Sequence, residues 1–131
     1  MRRSYIDIDG RRYLAVFSGS VAAAIEEDKG KPVQTYLAEV ANGDAVQMGE
    51  LIYLAALMIR AGDRYAKKNG IPNSPIAELD LDNLGDSLDV MDDLPKVTRA
   101  IMEIVTGTRN VLAKDAPKNA EGAPGDAAQS A

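Results

Sequence analysis

The sequence predicts an α+β fold, an N-terminal β-hairpin followed by a mostly helical bundle of about four to five helices. Three observations carry that expectation. Tyr5-Ile6-Asp7-Ile8 and Tyr13-Leu14-Ala15-Val16-Phe17 are β-prone runs joined through Asp9-Gly10, a dipeptide that tolerates φ > 0 and so marks tight hairpins. Aromatic residues make up only 5% of the chain against an apolar fraction of 46%. The core must therefore be aliphatic, and Leu, Met and Ala favour helices. Residues 44 to 69 are a long run of helix formers interrupted only by Gly49 and Gly62. A chain of 131 residues is long enough for one hydrophobic core, and a single domain is expected over residues 1–112.

Taking the elements in order, a two-residue loop sets Ile8 opposite Arg11, Asp7 opposite Arg12 and Ile6 opposite Tyr13. One face then carries Ile6, Ile8, Tyr13, Ala15 and Phe17 and is the face to bury. The other carries Tyr5, Leu14 and Val16 beside the Asp7–Arg12 pair. A lone hairpin is marginal in water, so it must dock on helices or pair with another chain. Tyr5, Leu14 and Val16 are the candidate self-association residues. Ser18-Gly19-Ser20 offers N-caps for a helix over Val21–Asp28 ended by Gly30. Pro32 suits the first turn of a second helix to about Ala41, with Asn42-Gly43 as its stop. The long helix begins at Asp44 or Ala45 and ends at Asn69-Gly70-Ile71-Pro72. Met48, Leu51, Leu54, Ala55, Met58 and Tyr65 form its main apolar stripe, widened by Ile52, Ala56 and Ile59. Tyr53 and Leu57 fall outside the stripe, so the middle of the helix is apolar nearly all round, as in a helix that shares a second face. A short helix over about Leu81–Met91 and a last helix from Pro95 follow. Val97, Ala100, Ile101, Ile104 and Val105 form the core stripe of that last helix, and Gly107 closes it. Residues 113–131 lack an apolar pattern, cannot offset their ordering entropy and are expected to be a disordered tail.

The chain contains no His and no Cys. Without His it lacks the side chain that titrates near neutrality and most often carries general acid–base catalysis. Without Cys or His a zinc site would need carboxylates alone. Nor does the chain hold a dinucleotide-binding, Walker or nucleophile-elbow motif. The expectation is a non-enzyme with no cofactor. The acidic stretch Glu78, Asp80, Asp82, Asp86, Asp89, Asp92 and Asp93 invites a calcium loop starting at Asp80. Leu84 at the fifth position and Met91 at the twelfth break that pattern, so the stretch reads as a solvated acidic face and no metal is expected. Net charge is −5, which argues against a nucleic-acid partner. No apolar run reaches the ~18 residues that a membrane span needs, and no signal-peptide core follows Met1-Arg2-Arg3-Ser4. Arg60 and Arg64 lie one turn apart beside Tyr53 and Leu57. A Tyr–Leu–Arg–Arg strip has the composition of an interface, which makes Tyr53, Leu57, Arg60 and Arg64 the candidate partner-binding residues. Burial of Tyr53 and Leu57 under the hairpin is the alternative.

The hairpin Y-I-D-I-D-G-R-R-Y-L-A-V-F, the segment GELIYLAALMIRAGDRY and the acidic, Leu-patterned ELDLDNLGDSLDVMDDL resemble, in order and layout, the tail assembly chaperones of long-tailed bacteriophages and prophages. The likeness covers roughly the first four-fifths of the chain. It implies a non-catalytic homo-oligomeric factor of the host bacterial cytoplasm that coats the tape-measure protein and is absent from the finished tail. It also implies that a longer, frameshifted form can exist. Two other readings stay open. One is another phage morphogenesis factor, such as a head–tail connector or tail completion protein. The other is an acidic host-directed regulator.

Overall fold

The computed structural model describes residues 2–42 and 47–115. Strands β1 (Arg2–Ile8) and β2 (Arg11–Phe17) form an antiparallel hairpin. The helices α1 (Gly19–Lys29), α2 (Val33–Asn42), α3 (Met48–Asn69) and α4 (Leu94–Asp115) follow, with two 3₁₀ segments, Ile76–Glu78 and Leu81–Ser87, between α3 and α4. The hairpin has the predicted register, with Ile8 opposite Arg11 and Ile6 opposite Tyr13. Its turn residues have positive φ, 51° at Asp9 and 76° at Gly10, as a two-residue turn that follows the strand twist requires.

Helix α3 lies along β2 and α4 along β1, and the two long helices also touch each other. α2 packs on α4, α1 on α2 and α3, and the 3₁₀ segments on α3. One aliphatic core joins all the layers. Leu54, Met58 and Ile59 of α3 are fully buried, each worth about 1.5–3 kcal/mol relative to exposure. The predicted α4 stripe of Val97, Ala100, Ile101, Ile104 and Val105 is buried throughout. On α3, Leu51, Leu54, Ala55 and Met58 are buried as expected, whereas Met48 is 44% exposed and Tyr65 only partly covered.

The hairpin buries both faces along much of β2. Ile6, Ile8, Tyr13, Ala15 and Phe17 are in the core, and so are Leu14 and Val16, each with no exposed surface. Leu14 and Val16 are therefore not free for self-association. Of the three residues expected on that surface only Tyr5, at 45%, is exposed. The reason is the close approach of α3. A Cβ added at Gly62 would overlap the Leu14 carbonyl oxygen and sit 3.1 Å from the Ala15 nitrogen, so glycine lets the helix backbone lie directly on the strand. The loop after α3 finishes the strand's outer edge. The Leu14 N–H donates to Asn73 Oδ1 at 2.8 Å, and the Ser74 N–H donates to the Arg12 carbonyl at 3.4 Å. A sheet edge left without such partners would carry unpaired backbone groups.

Helix ends follow local chemistry. Ser18 caps α1 by accepting the Val21 N–H, and Glu26 Oε2 accepts the Val33 N–H at the start of α2, 2.9 Å away. Gly30 and Gly70, with φ of 67° and 65°, close α1 and α3. Asp44 and Ala45, the expected start of α3, and the Gly43 stop lie outside the described residues. The helix predicted over Leu81–Met91 is instead a 3₁₀ segment ending at Ser87, interrupted at Asn83 (φ −127°, ψ 45°). Aspartates there bind nearby backbone rather than continue a helix. Asp80 accepts the Asn83 N–H at 3.2 Å, and Asp89 accepts those of Met91 and Asp92. Gly107 does not end α4, which runs to Asp115. Its cost of about 1 kcal/mol against alanine is outweighed by packing, since Val105 and Thr108 on either side of it are buried. Of the tail expected to be disordered, 113–115 belong to α4, and 116–131 lie outside the described residues.

Gly62→Ala should lower stability by about 1–3 kcal/mol, the usual cost of forcing atoms into a packed core, despite alanine's higher helix propensity. Gly49→Ala, in the first turn of the same helix, meets open space and should gain less than the roughly 0.5–1 kcal/mol that glycine costs in a helix interior. Urea midpoints of the two variants check the contrast. Asn73→Ala should cost about 1–3 kcal/mol in the same assay by leaving the Leu14 N–H unpaired.

Candidate partner-binding groove

The outer flank of α3 carries Ile52, Tyr53, Ala56, Leu57 and Arg60. It faces the last turn of α1 on one side and the 3₁₀ segment Leu81–Ser87 on the other. Between them runs an open groove of about 450 Å³. Ile52, Ala56 and Leu57 from α3 and Leu81 and Leu84 from the 3₁₀ segment supply its apolar lining, with Asp28, Tyr53, Arg60 and Asp82 contributing polar groups. Gly85 keeps the far wall close, since a Cβ there would stand 3.4 Å from the Ile52 terminal methyl.

The polar groups of this flank are already engaged. The Tyr53 hydroxyl donates to Asp28 Oδ2 at 2.7 Å. Arg60 Nη2 pairs with Asp82 Oδ1 at 2.7 Å. A second hollow, lined by Ile76–Asp82, begins at the same Arg60–Asp82 bridge. Behind Tyr53, Lys29 Nζ lies 4.4 Å from the Tyr53 ring centroid and 5.7 Å from that of Tyr36. The same ammonium pairs with Glu50 Oε1 at 2.9 Å, and that oxygen also accepts the Tyr36 hydroxyl at 2.6 Å. The cluster ties α1, α2 and α3 together through one half-buried ion pair and two aromatic faces. A cation over an aromatic ring gains most when water is partly excluded.

Electrostatics follow from these contacts. The hydrogen bond from Tyr36, then that from Lys29, holds the Glu50 carboxyl below its ordinary value of 4.5. Burial first, and the Glu50 carboxylate second, push the Tyr36 hydroxyl well above its ordinary 10.0. Burial and the hydrogen bond to Asp28 do the same for Tyr53. All three shifts keep these groups at neutral pH in the protonation states that the contacts use.

Of the expected partner strip, the structure brings Tyr53, Leu57 and Arg60 into one groove. Arg64 does not line it; it lies one turn further on and donates to Ser20 Oγ at 3.4 Å. Tyr53 and Leu57 are partly covered, beside α1 and the 3₁₀ segment. Sequence reasoning missed Asp28, Leu81, Leu84 and Gly85 as groove residues. The i, i+3 spacing of Leu81 and Leu84 was the available signal, since it marks one face of a short helical turn. Chemically the groove offers an aliphatic floor with its charges paired at the rim, an arrangement that takes up an apolar ridge. Among the described residues no three Asp or Glu side chains converge as metal ligands, and no helix is long and apolar enough to cross a membrane.

The Glu50 shift has a defined consequence for stability. Because the folded-state value is depressed, its contribution is present above the unfolded value of 4.5 and is lost as pH falls through the folded value. Thermal melts between about pH 7 and pH 3 should therefore show a shallower acid decline for Glu50→Gln than for the parent chain. The raised Tyr36 value acts at the other limb. Its contribution is present below 10.0 and is lost as pH rises above it, so Tyr36→Phe should flatten the alkaline decline.

In comparisons with known proteins, no family model, no curated protein and no solved structure matches this chain.

Proposed function

We propose that this chain is a non-catalytic binding protein that shields the apolar face of a long helical partner during assembly. The observation that carries this reading is the open groove in which Tyr53, Leu57 and Arg60 of α3 meet Leu81 and Leu84. A helix laid in a groove is read through apolar anchors at i, i+3, i+4 and i+7, and an aliphatic floor with paired charges at the rim suits such anchors. Net charge of −5 keeps a protein with such a surface from associating non-specifically. Together with the sequence resemblance, these features make the tape-measure protein of a long-tailed phage or prophage the proposed client. The host bacterial cytoplasm is the proposed setting, and the role is that of a tail assembly chaperone.

Co-expression with the neighbouring long, helix-rich open reading frame tests the proposal. The long protein should become soluble in a complex holding many copies of this chain and should stay bound at about 0.5 M salt, where the Debye length is only a few Å. Leu57→Ser should reduce the recovered complex several-fold, because it removes an apolar contact from the groove floor. Failure of the two proteins to associate overturns the chaperone reading. Binding abolished by salt points to the acidic regulator instead. Recovery of this chain from purified particles by mass spectrometry points to a connector or completion protein.

A further inference from the structure

The groove along α3 has a direction and two distinct ends, both fixed by the elements that wall it. α1 runs antiparallel to α3, with Ser20 beside Arg64 and Asp28 beside Tyr53. The 3₁₀ segment Leu81–Ser87 on the other side also runs antiparallel, with Asp82 paired to Arg60 and Gly85 close to Ile52. The groove therefore follows the α3 axis between two walls. Tyr53 and Arg60 are two turns apart on that helix, about 10 Å. Asp28 stands on the α1 wall at the Tyr53 end, and Asp82 on the 3₁₀ wall at the Arg60 end. The two carboxylates thus lie diagonally across the apolar floor.

Each end keeps negative charge that the chain itself does not cancel. Asp28 accepts a hydrogen bond from the Tyr53 hydroxyl, a neutral donor. Among the described residues no Lys or Arg pairs with Asp28, and its neighbour Lys29 is taken by Glu50. At the other end Asp82 meets one nitrogen of Arg60, and its side chain is 83% exposed. An ion pair that open to water is weak. Asp80, in the adjoining hollow, accepts the Asn83 N–H and likewise has no Lys or Arg partner among the described residues. The Arg60 end therefore sets two aspartates against one guanidinium.

We propose that the groove selects an amphipathic helix whose apolar ridge is flanked by two cationic side chains, one near each end and on opposite sides of the ridge, which seat against Asp28 and Asp82. The inference rests on the groove reading above and adds the charge pattern of the partner. Apolar anchors at i, i+3, i+4 and i+7 cover about two turns, which matches the separation of the two acidic ends. The apolar ridge supplies the affinity that survives salt. Charges at the margin of an interface contribute mainly to choice of partner, so the Lys or Arg pair discriminates among helices that share the same ridge.

Fluorescence anisotropy of labelled synthetic helices titrated with the full chain tests it. All the peptides carry the same leucine ridge. One has glutamine on both flanks. Two others have a lysine near each end on opposite sides of the ridge, in the two possible diagonal arrangements. At low salt one lysine arrangement should bind about five- to tenfold tighter than the glutamine peptide, the combined effect of two exposed ion pairs. The other arrangement should gain far less, and about 0.5 M salt should bring all three together. Asp28→Asn and Asp82→Asn should each cut the lysine-over-glutamine ratio about two- to threefold. Asparagine keeps an acceptor for the Tyr53 hydroxyl, and both positions are exposed, so these variants should melt at the parent temperature. Glu103→Gln removes the same charge from an exposed position on α4 that lies outside the groove and should leave the ratio unchanged. Equal binding of the three peptides, in a manner still disabled by Leu57→Ser, overturns the charge pattern and leaves the groove reading standing. A lysine gain that is the same for both diagonals, or that falls as much with Glu103→Gln as with Asp28→Asn, also overturns it. If no peptide binds, the groove reading falls and this inference with it.

Discussion

The approach of α3 to β2 at Gly62 is the contact on which the other layers depend. Any side chain there would collide with the strand backbone at Leu14, so the helix can lie flat on the hairpin only because residue 62 lacks one. That closeness draws Leu14 and Val16 into the core, turning a hairpin that would be marginal alone into one with both faces engaged along β2. It also places the end of α3 so that Asn73 and Ser74 reach the outer edge of β2. With α3 seated in this way, its opposite flank, carrying Tyr53, Leu57 and Arg60, is left to form a groove with the segment that follows.

The acidic stretch works as a set of local ties. Asp80 holds the Asn83 N–H, Asp82 pairs with Arg60, and Glu78 pairs with Arg11 of the hairpin. Asp93 is buried and joins the hairpin turn to the entry of α4. A buried carboxylate is costly unless its lone pairs are satisfied, and two backbone N–H groups satisfy this one. Carboxylates spent on backbone donors and ion pairs do not converge on a common point. These ties hold the far wall of the groove.

On the other side of the groove, the Lys29–Glu50 pair with its two tyrosines fixes α1 and α2 against α3. Half-buried, it is screened less than a surface pair, yet it is not so deep that desolvation overwhelms the attraction. Its hydrogen bond partners and those of Tyr53 lie on three different helices, so the width of the groove depends on several elements at once.

The hairpin, its turn and register, the α4 stripe and the glycine ends of α1 and α3 were legible in local sequence. Each is governed by residues within a few positions of one another: Asp9-Gly10 selects the turn, and the spacing of Val97, Ala100, Ile101, Ile104 and Val105 selects a face. The pattern also singled out Tyr53, Leu57, Arg60 and Arg64 as a strip outside the main stripe, of which the first three line one groove and Arg64 does not. Where short-range preference competed with packing, sequence reasoning went astray. Gly107 is a helix terminator by propensity but lies within a packed helix, and Leu81–Met91 has helical spacing but aspartates that prefer backbone donors. That both faces of β2 are covered, and which residues complete the groove, came from packing between distant segments. Both depend on how close α3 comes to β2, a distance set by one missing side chain at Gly62 and by partners, Leu14 and Asn73, far away in sequence.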